Sequence, residues 1–212
     1  NFTVVNMNRN SLRKEWHVTL SAFIEFISRH DFDPSLKLFI SCGVNGPDEH
    51  VNIENHVYTE FMKRGLYYMN YTKNFIINNK SLRLSKEELN SIYFSADVGI
   101  NTCASEGFGL TSIEHAYFNK PQILTDIPTF RDTLGDNAIY VKPRVTTMYT
   151  GDNELNGERA ILDHMDVADA IDKYYKERPV FNTRDYVLKR FSWKNVYKQI
   201  DRMVDILRDG SL

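Results

Sequence analysis

Residues 104–118, Ala104-Ser-Glu-Gly-Phe-Gly-Leu-Thr-Ser-Ile-Glu-His-Ala-Tyr-Phe118, lie between two short apolar runs, Asp97-Val-Gly-Ile-Asn101 and Gln122-Ile-Leu-Thr125. The order is strand, glycine-containing loop, helix, strand, the unit from which α/β folds are built. Gly107 and Gly109 permit a tight turn or a close approach of backbone to a ligand. A helix starting near Leu110 points its open N–H groups back into the loop, where an anion such as a diphosphate is stabilised. Glu106 and Glu114, eight positions apart, are not required by a plain βαβ unit. A carboxylate beside a phosphate site repels it unless it faces something else, so Glu106 suits sugar hydroxyls. Glu114, one turn into the helix, suits the vicinal hydroxyls of a ribose. The spacing also allows a simpler reading, with Glu106 as an electrostatic helix cap and Glu114 on a solvated face.

Working outward, Phe2-Thr-Val-Val-Asn-Met7 reads as a central strand, followed by Asn8-Arg9-Asn10. Asn10 or Ser11 can cap the next helix, whose apolar face is Trp16, Leu20, Phe23 and Ile27. Arg9 then falls at the carboxyl end of the strand and Arg13 and Lys14 in the helix's first turn. Cations there oppose the helix dipole, and a bound diphosphate at the sheet rim supplies a reason for them; solvent-exposed basic residues are the alternative. Leu36–Cys42 and Asn74–Ile77 are further strands. Residues 53–68 carry a weak helical pattern, and Ser85 with Glu88 forms a capping box ahead of a short helix. Beyond the central unit, Thr129 can cap a short helix and Ala138–Val141 is a strand. Residues 144–160 read as an irregular surface loop. Residues 163–212 read as C-terminal helices, the last capped by Ser192 with an apolar stripe of Val196, Ile200, Met203, Val204 and Leu207.

The 212 residues carry a net charge of −2 with 42% hydrophobic and 25% charged residues. That is an ordinary globular composition and gives no electrostatic footprint for nucleic acid. Cys42 and Cys103 read as buried thiols, and no spacing suggests a metal site. Neither a signal peptide nor an apolar run of transmembrane length is read. The sum is a doubly wound, mostly parallel Rossmann-like α/β sheet of about six strands with helices on both faces. The strand order is not legible.

Ser105-Glu-Gly-Phe-Gly-Leu-Thr-Ser-Ile-Glu114 resembles the E-x7-E signature of retaining nucleotide-sugar glycosyltransferases of family four, glycosyl transferases group 1, which have the two-domain GT-B fold. Asn8-Arg-Asn-Ser-Leu-Arg-Lys14 resembles the basic motif that opens the family's C-terminal domain. Leu84–Leu89, Tyr93 and Ala96-Asp-Val98 resemble its approach to the signature. Gly135-Asp-Asn-Ala138 and Arg190-Phe-Ser-Trp193 resemble later landmarks. Departures from the usual pattern are Thr111 for proline, Glu15 for a glycine, and His115-Ala-Tyr-Phe-Asn119 after the second glutamate.

The resemblance implies one donor-binding domain over residues 1–212, one half of a GT-B fold, with the acceptor-binding N-terminal domain absent from this chain. It implies a catalytic set of Arg9 and Lys14 on the donor diphosphate and Glu106 on the transferred sugar. Gly107, Phe108, Gly109, Leu110 and Thr111 would line the phosphates and sugar, and Glu114 would hold the ribose. Ile77 and Asn78 would border the base. The implied reaction is transfer of a hexose from a GDP- or UDP-sugar such as GDP-mannose to a hydroxyl acceptor, with retention and without metal or other cofactor. The fragment alone would be inactive in transfer. The expected location is cytoplasmic or peripheral to a membrane. The alternative is a non-catalytic nucleotide-binding or scaffold domain of the same fold.

Overall fold

The computed structural model describes residues 1–42, 50–78, 84–149 and 157–209. The polar loop read around Gly46-Pro47, the second residue of the Asn78-Asn79 turn, Gly210 and the middle of the 144–160 segment lie outside them. The strands of the main sheet are β1 (Phe2–Asn6), β2 (Leu36–Ser41), β3 (Phe75–Asn78), β4 (Val98–Asn101), β5 (Gln122–Thr125) and β6 (Ile139–Val141). All neighbours are parallel, in the order β3-β2-β1-β4-β5-β6. Strands buried on both faces read as near-continuous apolar runs, as Val98-Gly-Ile100 does. The order reverses between β1 and β4, where Val4 pairs with Val98 and Val5 with Gly99. The carboxyl ends of these two strands therefore open onto one crevice, the usual ligand position of such sheets.

Helices α1 (Trp16–Ser28), α2 (Ile53–Lys63) and α6 (His164–Glu177) pack with one apolar cluster around Phe23, Phe26, Leu38 and Ile171. The second cluster includes Ile113, Phe130, Leu134 and Val187, from α4 (Leu110–Ala116), α5 (Pro128–Leu134) and α7 (Thr183–Phe191). Between β3 and β4, α3 (Lys86–Ser95) begins at the expected capping box, with Glu88 N donating to Ser85 Oγ (3.1 Å) and Ser85 N donating to Glu88 Oε2 (2.8 Å). Cys42 and Cys103 are buried. Among the described residues no helix is long and apolar enough to cross a membrane.

Several local expectations change. Residues 12–14 form a separate 3₁₀ turn, and α1 starts at Trp16 after Glu15 in the left-handed conformation (φ 49°). Arg13 and Lys14 therefore precede α1 instead of lying in its first turn. Pro128 opens α5 with Ile127 at the cap; Thr129 Oγ1 donates instead to the Glu106 carbonyl (2.7 Å). Ser192 stands before α8 (Trp193–Arg208) without a side-chain cap bond. Within the segment 144–160, read as an irregular loop, the described residues include two strands: β7 (Val145–Tyr149) and β8 (Gly157–Ile161) form an antiparallel hairpin outside the main sheet. Whereas α6 packs on α1 and α7 on α4 and α5, α8 buries no residue. Its stripe of Ile200, Met203, Val204 and Leu207 is exposed.

His115 sits under the switch point. Its ring stacks on Tyr93 at 5.2 Å, Nδ1 lies 3.0 Å from Gln122 Nε2, and a Cβ at Gly99 would collide with both His115 and Gln122. Burial, reinforced by the charge of Lys120, lowers its pKa from 6.5 to about 3. The unfolded chain therefore takes up a proton that the folded chain refuses across this window, so stability is full above pH 6.5 and falls as the pH drops. Urea unfolding should show His115 removing about 1.4 kcal/mol between about pH 7.5 and about pH 5.5. His56, whose pKa burial also lowers, adds in the same direction. The slope should be shallower in His115→Gln; equal slopes would contradict this assignment.

Candidate active site at the sheet switch point

The chain leaving β1 and the chain leaving β4 meet at Lys14 and Glu106. Lys14 is buried, 7% exposed. Its ammonium donates to Asn8 Oδ1 (2.8 Å) and to Glu106 Oε2. Arg13 approaches the same carboxylate oxygen at 3.4 Å and donates to the Ser105 carbonyl (3.0 Å). The other carboxylate oxygen, Oε1, accepts from Gly107 N (2.9 Å). Burial pushes the Glu106 carboxyl up, but Lys14, by hydrogen bond and charge, and Arg13 outweigh it and hold the pKa below the ordinary value. Glu106 is thus an ionised carboxylate at neutral pH, at the centre of a cationic cluster.

A polar scaffold lies beneath this pair. Asn8 Oδ1 also lies 3.4 Å from Thr111 Oγ1 and 3.4 Å from Asn101 Nδ2. Asn8 Nδ2 donates to Asn6 Oδ1 (2.7 Å), and Asn6 Nδ2 donates to Thr19 Oγ1 (3.1 Å). Thr19 meets Thr102 at 2.7 Å, and Thr102 reaches the Lys14 and Glu15 carbonyls. Asn6, Asn8, Thr19, Asn101 and Thr102 are all buried. Buried polar groups are retained at low cost only when satisfied by such partners, and a satisfied network fixes geometry. Sequence reading missed these residues because asparagine after an apolar run looks like a turn or cap. The signal available was asparagine at the ends of two neighbouring strands, β1 and β4.

On the other side of the crevice, Gly109 (φ 80°) precedes α4 in a conformation that favours glycine, and a Cβ there would meet the Phe130 ring at 2.7 Å. The open end of α4, Leu110 and Thr111, thereby faces the carboxyl rim. Glu114 is exposed, and its Oε2 accepts from Tyr93 OH (3.1 Å). It borders a groove of ≈ 730 Å³ whose walls include Phe108, Leu110, Phe118, Phe191 and Trp193. Phe108 is exposed and meets Phe191 edge-on at 5.5 Å.

The structure therefore brings Lys14, Glu106 and Thr111 together, with Arg13 and Asn8. Glu114 hydrogen-bonds to Tyr93 and not to them. Arg9 lies exposed at the β1 rim, where its carbonyl accepts from Trp16 Nε1 (3.1 Å). Ile77 and Asn78 end the edge strand β3, with β2 between them and β1; Asn78 Nδ2 donates to Ser41 Oγ (3.3 Å). Cys103 is buried beside the site, and burial pushes its thiol up to about 12, so it is not a nucleophile at neutral pH. Among the described residues no cluster of three His, Cys, Asp or Glu could hold a metal.

No family model matches the chain. The O-antigen chain mannosyltransferase RfbU of Salmonella typhimurium is 33% identical over 91 residues, which is 43% of this chain and 24% of that protein. Among solved structures, Anabaena HepE in complex with UDP and glucose superposes with a TM-score of 0.66 at 14% identity, covering 97% of this chain and 48% of that one. The C-terminal domain of the glycosyl transferase group 1 family protein LpcC from Francisella tularensis gives 0.66 at 16%, covering 91% of this chain and 87% of that domain. A glycosyltransferase from Rickettsia africae gives 0.66 at 17%, covering 97% and 48%. The chain thus spans 24% of its curated relative and about half of the two longer structures. It has the fold of the C-terminal domain of a GT-B glycosyltransferase.

Lys14→Met removes the principal partner of a nearly buried carboxylate. The Glu106 carboxyl should then titrate at higher pH than in the wild type, followed by carbon-detected NMR. Because the folded pKa is depressed, the stabilisation by the pair is present above the unfolded value of 4.5 and is lost as pH falls through the folded one. At neutral pH the variant should lose about 1–3 kcal/mol, less than for a fully buried pair because Arg13 and the Gly107 N–H remain. An unmoved Glu106 titration would show that Lys14 is not its partner in solution.

Proposed function

We propose that this chain is the nucleotide-sugar binding domain of a retaining glycosyltransferase that moves a hexose from a GDP- or UDP-sugar to a hydroxyl acceptor. The observation that carries the reading is the buried Lys14 ammonium, held by Asn8 and Glu106 at the β1–β4 switch point. Arg13 and Lys14 both approach the single carboxylate of Glu106. In this reading they also meet a diphosphate, whose remaining acceptors meet the Gly109–Thr111 backbone.

In this reading Lys14 and Arg9 offset the charge that develops on the leaving diphosphate as the glycosidic bond breaks. The acceptor hydroxyl gives its proton to the leaving phosphate on the same face, so the anomeric configuration is retained. Glu106, kept ionised, accepts from the hydroxyls of the transferred sugar. Gly107 and Phe108 line that sugar. Glu114, oriented by Tyr93, accepts from the ribose hydroxyls, and the β3 end at Ile77 and Asn78 borders the base. The reaction runs without a metal. Acceptor binding falls to a further domain, so the chain as it stands binds donor and transfers little. The satisfied Asn8–Lys14–Glu106 arrangement supports a working site over a decayed, purely scaffolding one.

Titration calorimetry should show GDP or UDP binding in the presence of a chelator. Lys14→Ala should weaken that binding by about 1.5–3 kcal/mol, the range of a hydrogen bond to a charged group. Unchanged affinity would remove Lys14 from the diphosphate. Glu114→Gln should narrow the preference for ribonucleoside over 2′-deoxyribonucleoside diphosphate. A preference as wide as that of the wild type would take Glu114 off the ribose.

A further inference from the structure

The hairpin β7–β8 has no part in the reading above, yet it closes a ring of contacts around the Lys14–Glu106 pair. Arg159, in β8, donates to Glu15 Oε1 (3.1 Å), with both side chains largely shielded at 11% and 16% exposure. The next residue, Ala160, donates its N–H to the Ala104 carbonyl (2.8 Å). Ala104 in turn donates to the Arg13 carbonyl (2.7 Å). Glu15 directly follows Lys14, and Ala104 lies two residues before Glu106. The hairpin thus grips both chain segments that carry the pair.

Glu15 is an unusual anchor. It sits in the left-handed region (φ 49°, ψ 47°), which a non-glycine residue holds only when its surroundings enforce it. Its carbonyl accepts from Val18 N (2.9 Å) and Thr102 Oγ1 (3.2 Å), and His17 Nε2 lies 3.3 Å from its carboxylate. The backbone turn that aims Lys14 at Glu106 is the one that the Arg159 contact stabilises.

We infer that Arg159 is a positioning residue for the Lys14–Glu106 pair, acting through Glu15, and that the β7–β8 hairpin is the brace that sets the anion site. This rests on the proposed reading of that pair as the diphosphate site. Two roles for Arg159 differ in sign. If it acted directly by its charge on the diphosphate, Glu15→Gln would unmask that charge and tighten binding. Acting through Glu15, both single substitutions loosen the same contact.

The experiment measures GDP and UDP affinity for wild type, Arg159→Gln, Glu15→Gln, the double variant and Arg159→Lys, alongside the Glu106 carboxyl titration without ligand. Each single glutamine variant should weaken binding at least about fivefold, the lower end of coupling between linked sites. The double variant should be no weaker than either, and Arg159→Lys should recover part of the loss. Glu106 should titrate at higher pH in Arg159→Gln. Tightening in Glu15→Gln, additive losses in the double variant, or an unmoved Glu106 titration would each overturn the proposal. If wild type binds neither nucleotide, the functional reading fails, while the ligand-free titration still decides the positioning role. Circular dichroism excludes an unfolded variant, and Arg159→Lys keeps the test open if Arg159→Gln does not fold.

Discussion

A lysine ammonium taken out of water must find an opposite charge and satisfied hydrogen bonds, or it loses its proton. Lys14 meets that demand with Glu106 and Asn8. The constraint reaches far into the structure, because these partners come from segments far apart in sequence. Only a sheet that places β1 beside β4 brings them together. The parallel order, the 3₁₀ turn after β1, and the Gly107–Gly109 loop after β4 all serve that meeting.

The same arrangement explains why so many polar groups lie under the crevice. Asn6, Asn8, Asn101, Thr19 and Thr102 are buried at a place where an apolar core would be simpler. Their bonds pass from the strands to α1 and to the Lys14 carbonyl, so they fix the floor on which the charged pair rests. The loop carrying Glu106 is tied from above as well, by Thr129 at its carbonyl and by Ala160 at Ala104. Such preorganisation is what electrostatic stabilisation of a leaving group requires, since the dipoles need not reorganise as charge develops.

Much of this was legible in the amino-acid sequence. Short apolar runs located the six strands and the Ser85–Glu88 capping box one helix start, whereas the caps expected at Ser11, Thr129 and Ser192 do not form. Glu106 and the Arg9–Lys14 motif were both singled out, and they lie on the two segments that meet at the crevice. What escaped depends on tertiary contact. Strand order is set by pairing across the sheet, which no local pattern encodes. Lys14 read as a first-turn helical cation facing a ligand; the left-handed Glu15 that ends its turn is invisible to periodicity. Residues 144–160 read as loop because Gly151, Asp152, Asn153, Asn156 and Gly157 cluster there, which hid the strands Val145–Tyr149 and Gly157–Ile161. The apolar stripe of α8 was read correctly as a pattern, but whether a neighbour covers it is not a property of the stripe.

The central claim is that the buried Lys14 ammonium receives the diphosphate. Lysine-selective ¹H–¹⁵N NMR of the side-chain ammonium groups, titrated with GDP and UDP and with the corresponding nucleosides, tests it most directly. The account predicts that the Lys14 signal moves with the diphosphates and stays in place with the nucleosides. A Lys14 signal unmoved at saturating diphosphate, while other resonances report binding, would contradict it.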